Sequence, residues 1–129
     1  MKKDIEIPEV KDVTLAIVPE DGEWNVYLIN NSNSDLVNTL VSSTGYGEKE
    51  GVQQKTSTLR HFLETVAAKS WAVVEPINKD VFHLNNEYWV SYYIGSQIFD
   101  KKFIFVPDSI KEENLTYIKE LDMQGVLHS

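Results

Sequence analysis

Two histidines and one glutamate are the side chains best suited to acid–base chemistry in this sequence. Histidine titrates near neutral pH, which makes His61 and His83 candidates for moving protons. Glu75 follows an apolar run and continues the face of Trp71 and Val73, where burial would raise its pKa. Carboxylates are almost never fully buried unless they are paired. We therefore expect the strand to reach solvent by Glu75.

Motifs for metal, phosphate or covalent chemistry are missing from the sequence. The chain has no cysteine, and no histidine has a second ligand at a zinc-type spacing. No Gly-x-Ser-x-Gly segment marks a nucleophile. A loop is predicted at Thr44–Gly51, and its first six residues lack the Gly-Lys-Ser/Thr ending that a phosphate-binding loop needs. We predict no metal, no cofactor and no catalytic residue, and we interpret His83 as a satisfied or exposed side chain.

Aromatic side chains are concentrated in the second half of the chain. Eight of them lie between residues 81 and 106, many at alternate positions. Side chains of a strand point to opposite faces in turn, so this rhythm predicts strands in which one face is core. Rings on the other face, if they are exposed together, would form a patch that indicates an interface. The candidate ligand or interface residues are Tyr27, Trp89, Tyr93, Glu75 and His83.

Turn residues divide the chain into short strands. Pro19-Glu20-Asp21-Gly22 predicts a tight turn, and the alternating residues on either side of it predict a β-hairpin. Residues 1–10 mix charged and apolar side chains and predict an extended N-terminal arm. Residues 58–68 stay open between strand and helix, and we prefer a strand through Arg60. The competing helix fits the spacing of four apolar residues: Leu59, Phe62, Leu63 and Val66.

One helix is predicted near the C-terminus. Ser109-Ile110-Lys111-Glu112 matches a capping box, in which the serine caps the helix and the glutamate reaches back to it. Leu115, Ile118 and Leu121 would then face the core. Gly125 would end the helix.

About eight short strands without long helices between them predict a mostly β fold. We predict an antiparallel β-sandwich of immunoglobulin-like architecture with about seven to nine strands and the short C-terminal helix. A small closed β-barrel is the alternative. The cysteine–tryptophan–cysteine signature of true immunoglobulin domains is missing. The length of 129 residues predicts one domain over residues 1–129.

The charge of the chain limits its partners. The formal net charge is −8, and Arg60 is the one arginine. Nucleic acids and anionic membranes are bound by clustered lysines and arginines, so we expect neither as a partner. No apolar run resembles a signal peptide or a membrane span. Together with the lack of cysteine, this favours a soluble, cytoplasmic protein.

Three functions remain open. The first is a non-enzymatic interaction domain that binds a protein partner or a second copy of itself, through exposed aromatics or by strand addition at a sheet edge. The second is a carbohydrate or small-ligand binder that uses exposed tryptophan and tyrosine. The third is a cofactor-free acid–base enzyme built on Glu75, His61 or His83.

Overall fold

The protein is all-β in the computed structural model, which describes residues 10–128. Ten strands follow one another along the chain: β1 (Val13–Glu20), β2 (Glu23–Asn30), β3 (Leu36–Lys49), β4 (Val52–Lys55), β5 (Leu59–Val66), β6 (Ser70–Ile77), β7 (Asn85–Ile94), β8 (Gln97–Phe105), β9 (Thr116–Ile118) and β10 (Met123–His128). Two single 3-10 turns lie at Lys79–Val81 and Glu112–Asn114. Residues 1–9, which make up nearly all of the predicted N-terminal arm, are outside the described residues.

The strands form two antiparallel sheets that face each other like the layers of a sandwich. The first sheet has the order β6-β2-β1-β10-β9, and the second has the order β4-β3-β7-β8. β3 is long enough to pair with β5 along its first part and with β4 along its last part. The two sheets do not close on one another within the described residues. The predicted antiparallel β fold is thus confirmed, and the alternative of a closed barrel is wrong.

The hairpin predicted at the start of the chain is confirmed. β1 and β2 pair from Val13↔Asn30 to Glu20↔Glu23. The turn between them is made by Asp21 and Gly22, which both have positive φ, at 50° and 83°. Two such residues match the twist of antiparallel strands, and this is why the Asp-Gly pair indicated a hairpin.

The main core lies between the two sheets. In β7 the alternation is clear, because Tyr88, Val90 and Tyr92 are buried whereas Trp89 and Tyr93 are exposed. A smaller apolar cluster covers the outer face of the first sheet, and its members come from β1, β2 and the segment around β9: Ala16, Val18, Tyr27, Ile29, Ile118 and Leu121.

The predicted C-terminal helix is wrong. Its segment contains the 3-10 turn and then β9 and β10. The hydroxyl of Ser109 donates to the carbonyl of Val106 at 2.6 Å and caps no α-helix. β10 pairs with β1, which would otherwise be an edge strand with unsatisfied backbone groups. Ile118 and Leu121 are buried as expected, but on the outer face of the first sheet.

The structure settles the ambiguous segment at residues 58–68 and contradicts the predicted loop that begins at Thr44. Residues 59–66 form β5, so the ambiguous region is a strand for most of its length. The segment Thr44–Lys49, predicted as a loop, continues β3 and pairs with β4 and β7. No helix in residues 10–128 has the length and hydropathy that crossing a membrane would require.

Gly125 is the tightest position in the β10 pairing and gives a direct test of the fold. A Cβ atom at this position would lie 2.8 Å from Val18 Cγ2 and 2.9 Å from Ile118 Cδ1. We expect Gly125→Ala to lower the free energy of unfolding by about 1–3 kcal/mol, as overpacking does. Urea unfolding measures this change. The exposed neighbour Gln124→Ala is the control, and equal stability of both variants would contradict the packing.

Candidate functional site

A cleft of about 240 Å³ opens between the two sheets, where β6 of the first sheet approaches β3 and β7 of the second. We call this cavity the cleft. Its walls are formed by hydroxyl, amide and aliphatic side chains, with a single carboxylate among them. The lining residues are Ser43, Thr44, Gly45, Thr56, Ser57, Leu59, Glu75, Pro76, Ile77, Asn78, Val81, Asn86 and Tyr88.

A β-bulge directs Glu75 into this cleft. Val26 of β2 pairs with Glu75, but the next residue, Tyr27, pairs with Val73, so Val74 has no partner opposite it. An extra residue of this kind reverses the side-chain alternation that follows it. Trp71 therefore points outward from the first sheet, with 45% of its surface exposed, while Glu75 points inward. The prediction that Glu75 continues the face of Trp71 and Val73 is wrong for this reason.

Glu75 is buried because three side chains donate hydrogen bonds to it or share one with it. Only 9% of its surface is exposed, so the expected solvated strand end is also wrong. Ser43 Oγ lies 3.0 Å from Oε1, and Tyr88 Oη lies 3.1 Å from Oε2. His61 Nε2 lies 2.5 Å from Oε1. A buried carboxylate is costly unless it is paired and hydrogen-bonded, and here it is both.

The tyrosine of this cluster is held in its protonated form. Burial, and then the nearby Glu75 carboxylate, raise the pKa of Tyr88 well above its usual value of 10. A protonated phenol can donate a hydrogen bond, whereas a phenolate cannot. Tyr88 is therefore a donor to Glu75 over the whole neutral range.

The chemistry of the cluster is that of an acceptor surrounded by donors. In a serine–histidine relay the histidine stands between the hydroxyl and the carboxylate and takes the hydroxyl proton. Here the carboxylate stands in the middle, and Ser43 and His61 both contact the same oxygen, Oε1. The arrangement is suited to holding a hydrogen-bond donor and not to activating the serine.

The predicted site residues lie in separate places. His83 is not part of the Glu75 cluster. Its Nε2 lies 2.6 Å from Oε1 of Gln54 on β4. Tyr27 is buried on the outer face of the first sheet, where its hydroxyl donates to Glu20 at 2.6 Å. Burial and this hydrogen bond raise the pKa of Tyr27 to about 12. Trp89 and Tyr93 are exposed together on the second sheet.

Sequence reasoning missed Ser43 and Tyr88 as partners of Glu75. Tyr88 carried a usable signal, because a tyrosine on the buried face of a strand needs a partner for its hydroxyl. Ser43 carried none, since a serine on a strand is usual on a sheet surface. His61 was considered as an acid–base candidate, and the structure brings it and Glu75 together.

Six partly exposed hydrophobic side chains adjoin on the outer surface of the second sheet. We call this surface the aromatic face. Its members are 37% to 60% exposed and come from β3, β5, β7 and β8: Val37, Leu40, Phe62, Trp89, Tyr93 and Ile98. The register places them side by side, because Leu40 pairs with Phe62, and Tyr93 pairs with both Val37 and Ile98.

Charged side chains of both signs border the aromatic face. The Lys102 ammonium lies 5.3 Å from the centre of the Trp89 ring and 4.0 Å from the Glu87 carboxylate. Trp89 shares one row across the strands with Lys102, which is its direct neighbour, and with Arg60, which lies beyond Ser42. Asp100 lies in the next row.

Comparison with known proteins gives no assignment. A scan against protein-family models found no match. Searches of curated proteins and of solved structures found no significant match either. Residues 10–128 contain no group of three or more histidine and acidic side chains that could hold a metal ion. The function is therefore argued from the cleft and the aromatic face.

The hydrogen bond between Tyr88 and Glu75 has a measurable effect on stability. We expect Tyr88→Phe to lower the free energy of unfolding by about 1.5–3 kcal/mol, the range for hydrogen bonds to charged groups. Tyr92→Phe is the matched control, since Tyr92 is equally buried on β7 and its hydroxyl makes no hydrogen bond to the described residues. Urea unfolding compares the two, and equal losses would show that the bond to Glu75 adds nothing.

Proposed function

We propose that the protein is a non-enzymatic, cytoplasmic protein-binding domain that associates with a second copy of itself through the aromatic face. The observation that carries this proposal is the contiguity of six partly exposed hydrophobic side chains on four neighbouring strands. The largest exposed apolar patch of a protein is often functional, and this one lies on a single open sheet face that another molecule could cover.

The contrast between the two sheets supports this proposal. The first sheet also has apolar side chains on its outer face, but the segment around β9 folds over them and buries Tyr27, Ile118 and Leu121. No segment within residues 10–128 covers the aromatic face in the same way. Residues 10–128 thus shield one outer face and leave the other uncovered, which supports a partner on the aromatic face.

The charges that border the aromatic face favour a second copy as that partner, although the overall charge does not. Two chains that each carry a net charge of −8 repel one another over most of their surfaces. The aromatic face is different, because Arg60 and Lys102 border it together with Asp100 and Glu87. When a face meets itself across a twofold axis, the cations of one copy can lie opposite the acids of the other.

The size of the face sets the expected strength. Four strands with a length of about eight residues cover roughly 20 Å by 25 Å. This is small against the roughly 800 Å² that each partner buries in a standard interface. We therefore expect a reversible dimer with micromolar affinity.

Face-to-face contact is better supported than addition of a strand at an edge. The edge strand β8 carries three consecutive charged residues, Asp100, Lys101 and Lys102. Charged side chains on an edge strand discourage pairing with another strand.

Carbohydrate binding on the same rings has less support. Sugars stack on an open aromatic face, but the ammonium of Lys102 already lies over the Trp89 ring.

The order of pairing also supports the immunoglobulin-like architecture as a proposal. β1, β2 and β6 would take the places of strands A, B and E, and β3, β7 and β8 those of strands C, F and G.

Light scattering over micromolar to millimolar protein concentrations tests self-association. We expect the mean mass to rise towards a dimer with concentration. We expect Trp89→Glu to keep the protein monomeric, because it removes the largest ring of the aromatic face and puts there a carboxylate that the contact would have to desolvate. The matched control is Trp71→Glu, since Trp71 is similarly exposed but lies on the other sheet. A particle that stays monomeric at every concentration would contradict the proposal, as would equal effects of the two variants.

A further inference from the structure

We infer that the cleft binds a small organic cation, an alkylammonium or guanidinium group, with Glu75 as its acceptor. This inference goes beyond the proposed self-association, which uses the opposite surface of the second sheet. It rests on the charge of the cleft, on the hydrogen-bonding positions that its walls leave open, and on its size.

The cleft carries one formal charge, and that charge is negative. Among its lining residues, Glu75 is the single ionisable carboxylate, and no lysine or arginine is present. The surrounding chain is acidic as well, with a net charge of −8. A site of this kind attracts cations and repels phosphates and carboxylates.

One oxygen of Glu75 can accept a further hydrogen bond. A carboxylate offers about four acceptor positions, two on each oxygen. Ser43 and His61 use both positions on Oε1, whereas Tyr88 alone bonds to Oε2 among the described residues. The second position on Oε2 is available to a donor from a ligand.

Asn86 adds a second acceptor on the same wall. Its Nδ2 donates to the carbonyls of Val81 and Leu84, at 3.0 Å and 3.2 Å. Its Oδ1 forms no hydrogen bond with the described residues, and it lies near Gly45, 3.5 Å from where a Cβ atom there would be.

Three hydroxyl donors of the wall are already used within the protein, whereas the Ser57 hydroxyl and the Asn78 side-chain amide donate to no other described residue. Ser43 and Tyr88 donate to Glu75, and Thr56 Oγ1 donates to the carbonyl of Ser57 at 3.0 Å. A ligand that itself needs donors would find few here. A ligand rich in donors, such as an ammonium or a guanidinium group, matches the acceptors that Glu75 and Asn86 present.

The volume and the apolar walls limit the rest of the ligand. A cavity of about 240 Å³ is below the usual 300–1,000 Å³ of pockets for drug-sized molecules. Leu59, Ile77 and Val81 line it and can pack against a short alkyl chain. A free alkylamine has this chemistry, and so does a lysine or arginine side chain of a peptide.

His61 competes with such a ligand. It is the one side chain contacting Glu75 that can carry a positive charge, and it is about one-third exposed. Replacing it by glutamine, which is neutral at every pH, leaves no side chain in contact with Glu75 that can become a cation.

Chemical-shift titration of the protein's backbone amides tests this inference, with n-butylammonium as the probe and n-butanol as its uncharged analogue. We expect n-butylammonium to shift the amides of Ser43, Gly45 and Asn78 with a millimolar dissociation constant, and n-butanol to bind much more weakly. A third titration, with a short lysine peptide, distinguishes a free amine from a protein side chain as the natural ligand. Tighter binding of the peptide than of the amine points to a protein side chain as the occupant, and weaker binding points to a free amine.

Three variants make the test specific. Glu75→Gln should weaken n-butylammonium binding by roughly tenfold or more, the loss expected for one charged hydrogen bond. Glu113→Gln removes the same charge from an exposed turn and should change nothing. His61→Gln should tighten binding, and it still tests the inference if Glu75→Gln does not fold.

Two outcomes would overturn the inference: equal binding of n-butanol and n-butylammonium, or amide shifts that persist unchanged in Glu75→Gln. The result is independent of self-association. Trp89→Glu, which tests the aromatic face, should bind n-butylammonium as the unsubstituted protein does, because Trp89 does not line the cleft.

Discussion

The structure depends on one buried carboxylate that joins the two sheets. Glu75 belongs to β6 of the first sheet, whereas its partners Ser43, His61 and Tyr88 belong to β3, β5 and β7 of the second. Most of the sandwich is held by apolar packing, which is not directional. Hydrogen bonds to a buried charge are directional, and they stay favourable only while all partners are in place. The Glu75 cluster therefore fixes how the sheets meet at this side of the sandwich, and it leaves the cleft beside it.

The two outer faces of the sandwich differ in exposure because the C-terminal strands cover only one of them. β10 extends the first sheet beside β1, and the segment around β9 then folds over the outer face of that sheet. The second sheet has no such cover within residues 10–128. The segment around β9 buries Tyr27, whereas Trp89 and Tyr93 on the other sheet are exposed. The aromatic face and the cleft thus lie on opposite sides of one sheet.

Local patterns were sufficient for the first hairpin and for β7, and insufficient for the site. The Asp21-Gly22 turn and the alternation of residues 88–94 act over a few residues, so the sequence alone predicts them. The bulge at Val74 depends on how β6 pairs with β2, and no glycine or proline marks it. Because that bulge turns Glu75 inward, the prediction for this residue was wrong.

The same physical reason explains the other differences. Leu59, Phe62, Leu63 and Val66 also fit a helix, because positive φ at Asn38 and Glu64 and shifts in the β3–β5 pairing interrupt the strand rhythm. The capping-box pattern at residues 109–112 is a local signal, and pairing of β10 with β1 outweighs it. Tertiary pairing decides between local alternatives of similar energy.

A double-mutant cycle between Tyr88 and Glu75 tests most directly whether the carboxylate joins the sheets. Unfolding free energies of Tyr88→Phe, Glu75→Leu and the double variant give the coupling between the two side chains, because leucine cannot accept the hydrogen bond of Tyr88. The account predicts a favourable coupling of about 1.5–3 kcal/mol, as for a buried hydrogen bond to a charge. Additive effects within about 0.5 kcal/mol would contradict it, because independent side chains cannot hold the two sheets together.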